Sequence, residues 1–153
     1  MLAHLDEETV INANAQFWQQ MLAMTLEPVQ FPEEFCMGAG HLHASVGLTG
    51  VWKGRIEVRM AEHLAYAATA AMMMQSVESV AEADALDATK EIANMVAGVI
   101  KSSLPRPCSM TVPESLVEPE EFCSLTRTPD SLVVAFHHSA GDLMGAGIPA
   151  MRA

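Results

Sequence analysis

Positive charge is scarce in this chain: 8 Lys and Arg stand against 19 Asp and Glu, a formal net charge of -11 over 153 residues. Nucleic-acid binding needs a basic surface to neutralise phosphates, and this composition does not supply one. Aromatic residues make up 5% of the chain, and Trp18 and Trp52 lack a cluster of basic neighbours, so stacking on bases is not expected either. The three cysteines, Cys36, Cys108 and Cys123, are odd in number and have no CxxC spacing. Neither a disulfide framework nor a zinc knuckle is indicated, and all three are expected to be reduced. A run of about 18 apolar residues is missing, and MLAHLDEETV has no basic region followed by an apolar stretch. No spanning helix or signal peptide is expected, and the cytoplasm is the expected location. GxSxG, P-loop and recognisable Cys and His pairings are also missing, so any chemistry must be completed by groups on a partner.

What is present is the material of one domain, long enough to bury roughly 70% of the surface exposed on unfolding. Asp6, Glu7 and Glu8 favour a helix start through the dipole, and Val10, Ala13, Phe17, Met21 and Met24 mark its buried side until Pro28. His43 to Leu48 and Val51 to Met60 read as strands joined near Leu48-Thr49-Gly50. The second alternates Trp52, Gly54, Ile56, Val58 and Met60 with Lys53, Arg55, Glu57 and Arg59, which predicts one wet face. Residues 61–74 form an Ala and Met helix, and residues 82–104 a second long one ending against Pro105 and Pro107. Cys108 to Val112, Glu121 to Thr128 and Leu132 to His138 are the remaining strand candidates, the last two joined by a Thr128-Pro129-Asp130-Ser131 turn. About five strands and three helices follow. The Gly-rich end, residues 140–153, is expected to be a flexible tail.

The segment ALDATKEIANMVAGVIKSSL carries the functional signal. On a helix Asp87, Glu91, Asn94, Gly98 and Lys101 fall within about 80° of one another, while Ile92, Val96, Val99 and Ile100 lie opposite. Any amphipathic helix has a solvated polar face, and an acid three residues before an amide arises by chance. Solubility alone, however, favours Glu, Lys, Gln and Arg, whereas Asn and Gly are poor helix formers. Gly98 costs roughly 1 kcal/mol relative to Ala, and its place on the presented face would let another surface approach the backbone.

That segment resembles the signature helix of the CheC, CheX and FliY chemotaxis phosphatases, whose motif runs Asp or Ser, three residues, Glu, two residues, Asn, then about twenty residues to a Pro. Asp87, Glu91 and Asn94 match its first three elements. The stretch from Ala44 to Met73, ASVGLTGVWKGRIEVRMAEHLAYAATAAMM, resembles the family's hairpin and following helix, and INANAQFWQQMLAM its first long helix. Pro113 follows Asn94 after 18 intervening residues and Pro119 after 24, with Pro113 the nearer equivalent because it ends the strand-like CSMTV. Glu8, Asn12 and Asn14 lack the spacing of a second motif, so a single site, as in CheX, is implied. The resemblance implies an α+β domain, an antiparallel sheet with two long helices on one face.

The resemblance further implies a phosphatase acting on the phosphoaspartate of a CheY-type receiver in chemotaxis signalling. Asn94 would align the attacking water and Glu91 would pair with the receiver's Lys. Asp87, Gly98 and Lys101 would contribute contacts to the receiver. The divalent metal, Mg, would be supplied by the receiver, with no cofactor of the chain's own, and a two-fold homodimer is implied. The alternative is a non-catalytic dimeric binding module using the same helix face or a sheet edge. A third reading, a sensor lined by the methionines, requires a sizeable apolar cavity. Consecutive Met72, Met73 and Met74 cannot share a helix face, so core filling accounts for them better than a thioether metal site. His41 with His43, and His137 with His138, make a two-strand metal site conceivable, but no carboxylate or Cys stands at ligand spacing beside them. The run Leu132 to Phe136 carries no charge or Pro and is expected to be buried in the sheet or an interface.

Overall fold

A computed structural model describes residues 5–126 and 130–150. Three helices, α1 (Glu7–Leu22), α2 (Glu62–Met73) and α3 (Glu82–Ser102), pack over one face of an antiparallel sheet, giving the expected α+β arrangement with the shorter α2 added to the two long helices. Nine strands are present among the described residues: β1 (Glu27–Pro28), β2 (Cys36–Met37), β3 (Leu42–Gly50), β4 (Gly54–Met60), β5 (Cys108–Met110), β6 (Glu114–Val117), β7 (Phe122–Cys123), β8 (Leu132–His137) and β9 (Leu143–Pro149). The main sheet runs β1-β8-β9-β4-β3-β5, with β6 also on β3, while β2 and β7 form a separate ribbon. β5 and β6 dock end to end along β3, opposite Leu48 to Gly50 and Leu42 to Ser45. Thr111 bridges the gap, its N–H donating to Gly47 O at 2.9 Å and its Oγ1 accepting from Gly47 N at 2.8 Å.

Local chemistry explains the helix ends. Asp6 accepts from Thr9 N at 2.7 Å and Glu7 and Glu8 sit in the first turn, so α1 starts where expected. It stops at Ala23, in the left-handed conformation at φ 53°, five residues before Pro28. Asp84 accepts from Ala81 N at 3.3 Å at the head of α3. The shared core holds Trp18, Leu42, Leu48, Ile56, Met60, Leu64, Ile92, Ile100 and Phe136, all essentially inaccessible to water. Alternation in β3 and β4 sends Ala44, Val46, Ile56 and Val58 to the helices, while His43, Arg55, Glu57 and Arg59 take the other face.

Several expectations are corrected. Met21, in the last turn of α1, is 59% exposed, and Val99 in α3 is 42% exposed. The β3 to β4 turn falls at residues 51–53, after Gly50, whose φ of +134° and approach to Pro107 O, 2.2 Å from where a Cβ would stand, require glycine. The Gly-rich C-terminal segment, expected to fray, instead forms β9, paired with β4 over Leu143 to Pro149 and with β8 over Leu143 to Gly147. Partners on both edges satisfy a backbone whose own strand propensity is low. Among the described residues of the expected 121–128 strand, Phe122–Cys123 form the two-residue β7 and Ser124–Thr126 a 3-10 turn, and β6 arises at Glu114–Val117, where no strand is expected. The predicted Thr128-Pro129-Asp130-Ser131 turn and residues 151–153 fall wholly or partly outside the described residues.

The wet face of β4 is also corrected: Glu57 is 3% and Arg59 6% exposed. The chain returns over this face after β6, so the Arg59 guanidinium stacks 3.6 Å over the Phe122 ring and pairs with Glu118 at 3.2 Å and Glu57 at 3.7 Å. Arg55 also pairs with Glu57, and His43 Nε2 lies 3.4 Å from its carboxylate. Desolvation is thereby offset by several opposite charges and a π face. The cysteines are corrected too. Antiparallel pairing of β2 with β7 sets Cys36 opposite Cys123, and their sulfurs are bonded, which a sequence separation of 87 concealed; Cys108 is free.

Candidate functional site

α3 lies over β3 and β4, with α2 and α1 beside it and β5 and β6 at its outer side. Its buried face is mostly small, with Ala85, Ala88, Ala93 and Ala97 among Ile92, Val96 and Ile100. Small residues let the helix sit low on the sheet while the opposite stripe points outward. Ser115 Oγ donates to Leu86 O at 3.0 Å, tying β6 to the first half of α3.

The stripe is assembled as the helical period predicts. Glu91 is exposed and Asn94 half-buried, and neither side chain has a hydrogen-bond or ion-pair partner among the described residues. Gly98 opens a gap: a Cβ there would meet nothing within 4 Å. Asp87 is exposed and directed to Lys90, with Oδ1 to Nζ at 3.4 Å, so part of its charge is met within the helix. Lys101 lies at the far end, where Gly98, Lys101, Ser102, Arg106, Pro107, Cys108 and Ser109 line a cleft of about 540 Å³. Arg106 and Ser109 were not singled out from sequence, because they reach the stripe through the turn from α3 into β5. Pro113 is half-buried between β5 and β6.

Other constellations are otherwise engaged. Asn14 is 1% exposed in α1 and its Nδ2 donates to Val10 O at 3.0 Å, so it presents no second site. His41 Nδ1 contacts Gly38 O at 2.6 Å and its Nε2 contacts Arg59 Nη1 at 2.9 Å. His137 pairs with Asp142 at 2.8 Å on β8, far from β3 in strand order. Cys36, Glu121 and Cys123 place potential metal ligands together, but the two sulfurs are consumed by their bond. The cleft contains no methionine, unlike the cavity a methionine-lined sensor would need.

An exposed acid and amide one helical turn apart can hold a cation and orient a water, but contain no nucleophile of their own. The model of the chemotaxis phosphatase CheX matches residues 42–137, which take in α3 entire and everything from β3 to β8. The chain belongs to the CheX family. Its fold is similar to CheX from Desulfovibrio desulfuricans, at 18% identity and TM-score 0.72, covering 94% of this chain and 97% of that one. A CheC-like superfamily protein from Shewanella sp. PV-4 is similar at 17% identity and TM-score 0.74, covering 94% and 96%. So is the Borrelia burgdorferi CheX in a CheX-CheY-BeF3-Mg complex, at 15% identity and TM-score 0.71, covering 97% and 100%. No curated protein matches in sequence. At these identities the structural likeness carries the CheX fold alone. Among the described residues, no helix is long and apolar enough to cross a membrane.

Proposed function

We propose that this CheX-family chain hydrolyses the phosphoaspartate of a CheY-type receiver, using Glu91 and Asn94 on α3. The observation that carries the reading is the state of that pair: side by side, reachable from solvent and unpartnered among the described residues.

In the reaction, water attacks phosphorus in line, the bond from phosphorus to the aspartyl oxygen breaks, and the aspartate carboxylate leaves with its electron pair. Inorganic phosphate takes the water's oxygen and its protons are released to solvent or phosphate. The Asn94 amide both donates and accepts, so it can fix the position and lone-pair direction of that water. Glu91 meets the receiver's Lys in a charge-assisted contact that sets the depth of insertion. The divalent metal belongs to the phosphorylated partner, and the Borrelia complex of CheX with CheY, BeF3 and Mg supports this division of parts. Asp87, Gly98 and Lys101 extend the docking face, with Asp87 peripheral because Lys90 already engages it.

The cytoplasm is the compartment this reading requires. A two-fold homodimer is part of it. β1 pairs with β8 opposite Phe136 and His137, with Val29 N reaching Ala135 O, and the 3-10 turn Pro32–Glu34 packs beside β8; among the described residues Leu132 to Val134 have no strand partner on that side, which leaves an edge a second copy can pair with. The deciding experiment follows decay of a phosphorylated receiver from the same organism with and without this chain. Acceleration with multiple turnovers is expected; unchanged decay despite demonstrable binding would leave the binding-module reading.

A further inference from the structure

Of the six Lys and Arg in the described residues, Arg55 and Arg59 are bound to Glu57 and Glu118, and Lys90 to Asp87. Lys53, Lys101 and Arg106 remain without an ion pair there, and two of these three flank a cleft that adjoins the stripe. In a chain of charge -11, uncompensated cations gathered at one place need a cause. The last carbonyls of α3 are also occupied. Ser102 Oγ donates to Val99 O at 2.6 Å, Ser103 Oγ to Ile100 O at 2.7 Å, and Leu104 N to Lys101 O at 3.1 Å. These bonds occupy carbonyls whose partial negative charge would otherwise face an incoming anion.

We infer that the cleft between the end of α3 and the start of β5 accepts an acidic side chain of the docked receiver, with Lys101 and Arg106 as its cations and Gly98 as its open entrance. The inference rests on the proposed docking of a receiver along α3. Glu91 and Lys101 are ten residues apart, which is about 15 Å on a helix, well inside the footprint of an ordinary protein interface. The face is therefore dipolar, with acids at the Asp87 and Glu91 end and cations at the other. A partner offering a Lys opposite Glu91 and a carboxylate about 15 Å away fits in one direction only, and the reversed pose sets like charges together.

The test titrates a beryllofluoride-activated receiver from the same organism against the parent chain, Lys101→Glu, Arg106→Glu and their neutral counterparts Lys101→Gln and Arg106→Gln, at low and high salt. All four substitutions are at partly or fully exposed positions, and circular dichroism checks their folding. Each Glu variant should raise Kd about tenfold at low salt, each Gln variant less, and the differences should shrink toward 0.5 M salt, roughly a 4 Å screening length. In turnover with phosphorylated receiver the loss should fall in KM rather than kcat. Equal affinities across the series overturn the inference while leaving the role of Glu91 and Asn94 standing. Tight, charge-sensitive binding without any acceleration of decay overturns the proposed catalysis while the docking inference stands, and a parent chain that binds no receiver overturns both. Saturation of the cleft by inorganic phosphate, with receiver affinity indifferent to Lys101 and Arg106, would make it a small-anion site and also overturn the inference.

Discussion

Nε2 of His41 lies 2.9 Å from Nη1 of Arg59, while Nδ1 of the same ring lies 2.6 Å from Gly38 O. Only a neutral ring satisfies both contacts, donating at Nδ1 and accepting from the guanidinium at Nε2. Burial, with Arg59 and His43 nearby, holds His41 below its usual pKa of 6.5, although the Gly38 contact and Glu118 oppose the shift. The unfolded chain therefore binds a proton at higher pH than the folded one. The stabilisation is complete above 6.5 and is lost as pH falls through that value toward the folded pKa. Urea midpoints measured from pH 7.5 to 5.5 should decline, and the decline should be shallower in His41→Asn. Identical slopes would show that His41 does not titrate differently in the two states.

Asn94→Ala should fold normally and keep receiver affinity within about twofold, yet lower catalysed dephosphorylation on the order of 10²-fold, the loss typical of one preorganised polar group. Single-turnover decay at saturating receiver measures this. A variant as active as the parent would remove Asn94 from the chemistry.

At Glu91 the order of effects matters more than their size. Glu91→Lys should bind an activated receiver more weakly than Glu91→Ala, because it sets like charges against the receiver's Lys. Equal dissociation constants for the two variants would mean that Glu91 faces no cation.

The bond between Cys36 and Cys123 closes a segment 87 residues apart in sequence and pins β2 to β7 near Phe122, the ring under Arg59. Cys123→Ser should reduce unfolding free energy by about 2–4 kcal/mol under oxidising conditions. Dithiothreitol should lower the parent's midpoint and leave that of the variant unmoved. A parent insensitive to reductant would show that the bond is not formed in solution.

Light scattering at micromolar concentration should report twice the 16.5 kDa chain mass if β8 completes its edge against a second copy. Val133→Lys, on the part of β8 that β1 does not pair, should shift the population toward monomer. Monomer mass for the parent would remove the dimer without touching the assignment of Glu91 and Asn94.

The α3 stripe was legible in the sequence because helical geometry is local. Positions 87, 91, 94, 98 and 101 share a face whatever the helix packs on, and the eight residues buried beneath α3 fall on the other side. β3, β4 and β8 were legible for the same reason, each carrying enough alternating or branched residues to declare a strand. The tertiary structure alone decided the rest. β9 is a strand because β4 and β8 flank it, although Leu-Met-Gly-Ala-Gly-Ile-Pro has little strand propensity of its own. Glu57 and Arg59 look like a solvated face until Glu118 and Phe122 return across them, and Cys36 meets Cys123 only through pairing of β2 with β7. The cleft likewise joins Lys101 and Arg106 only through the turn from α3 into β5. Periodicity records which face of an element a residue takes, but burial, pairing and charge compensation depend on segments distant in the chain, whose approach is set by packing of the whole domain.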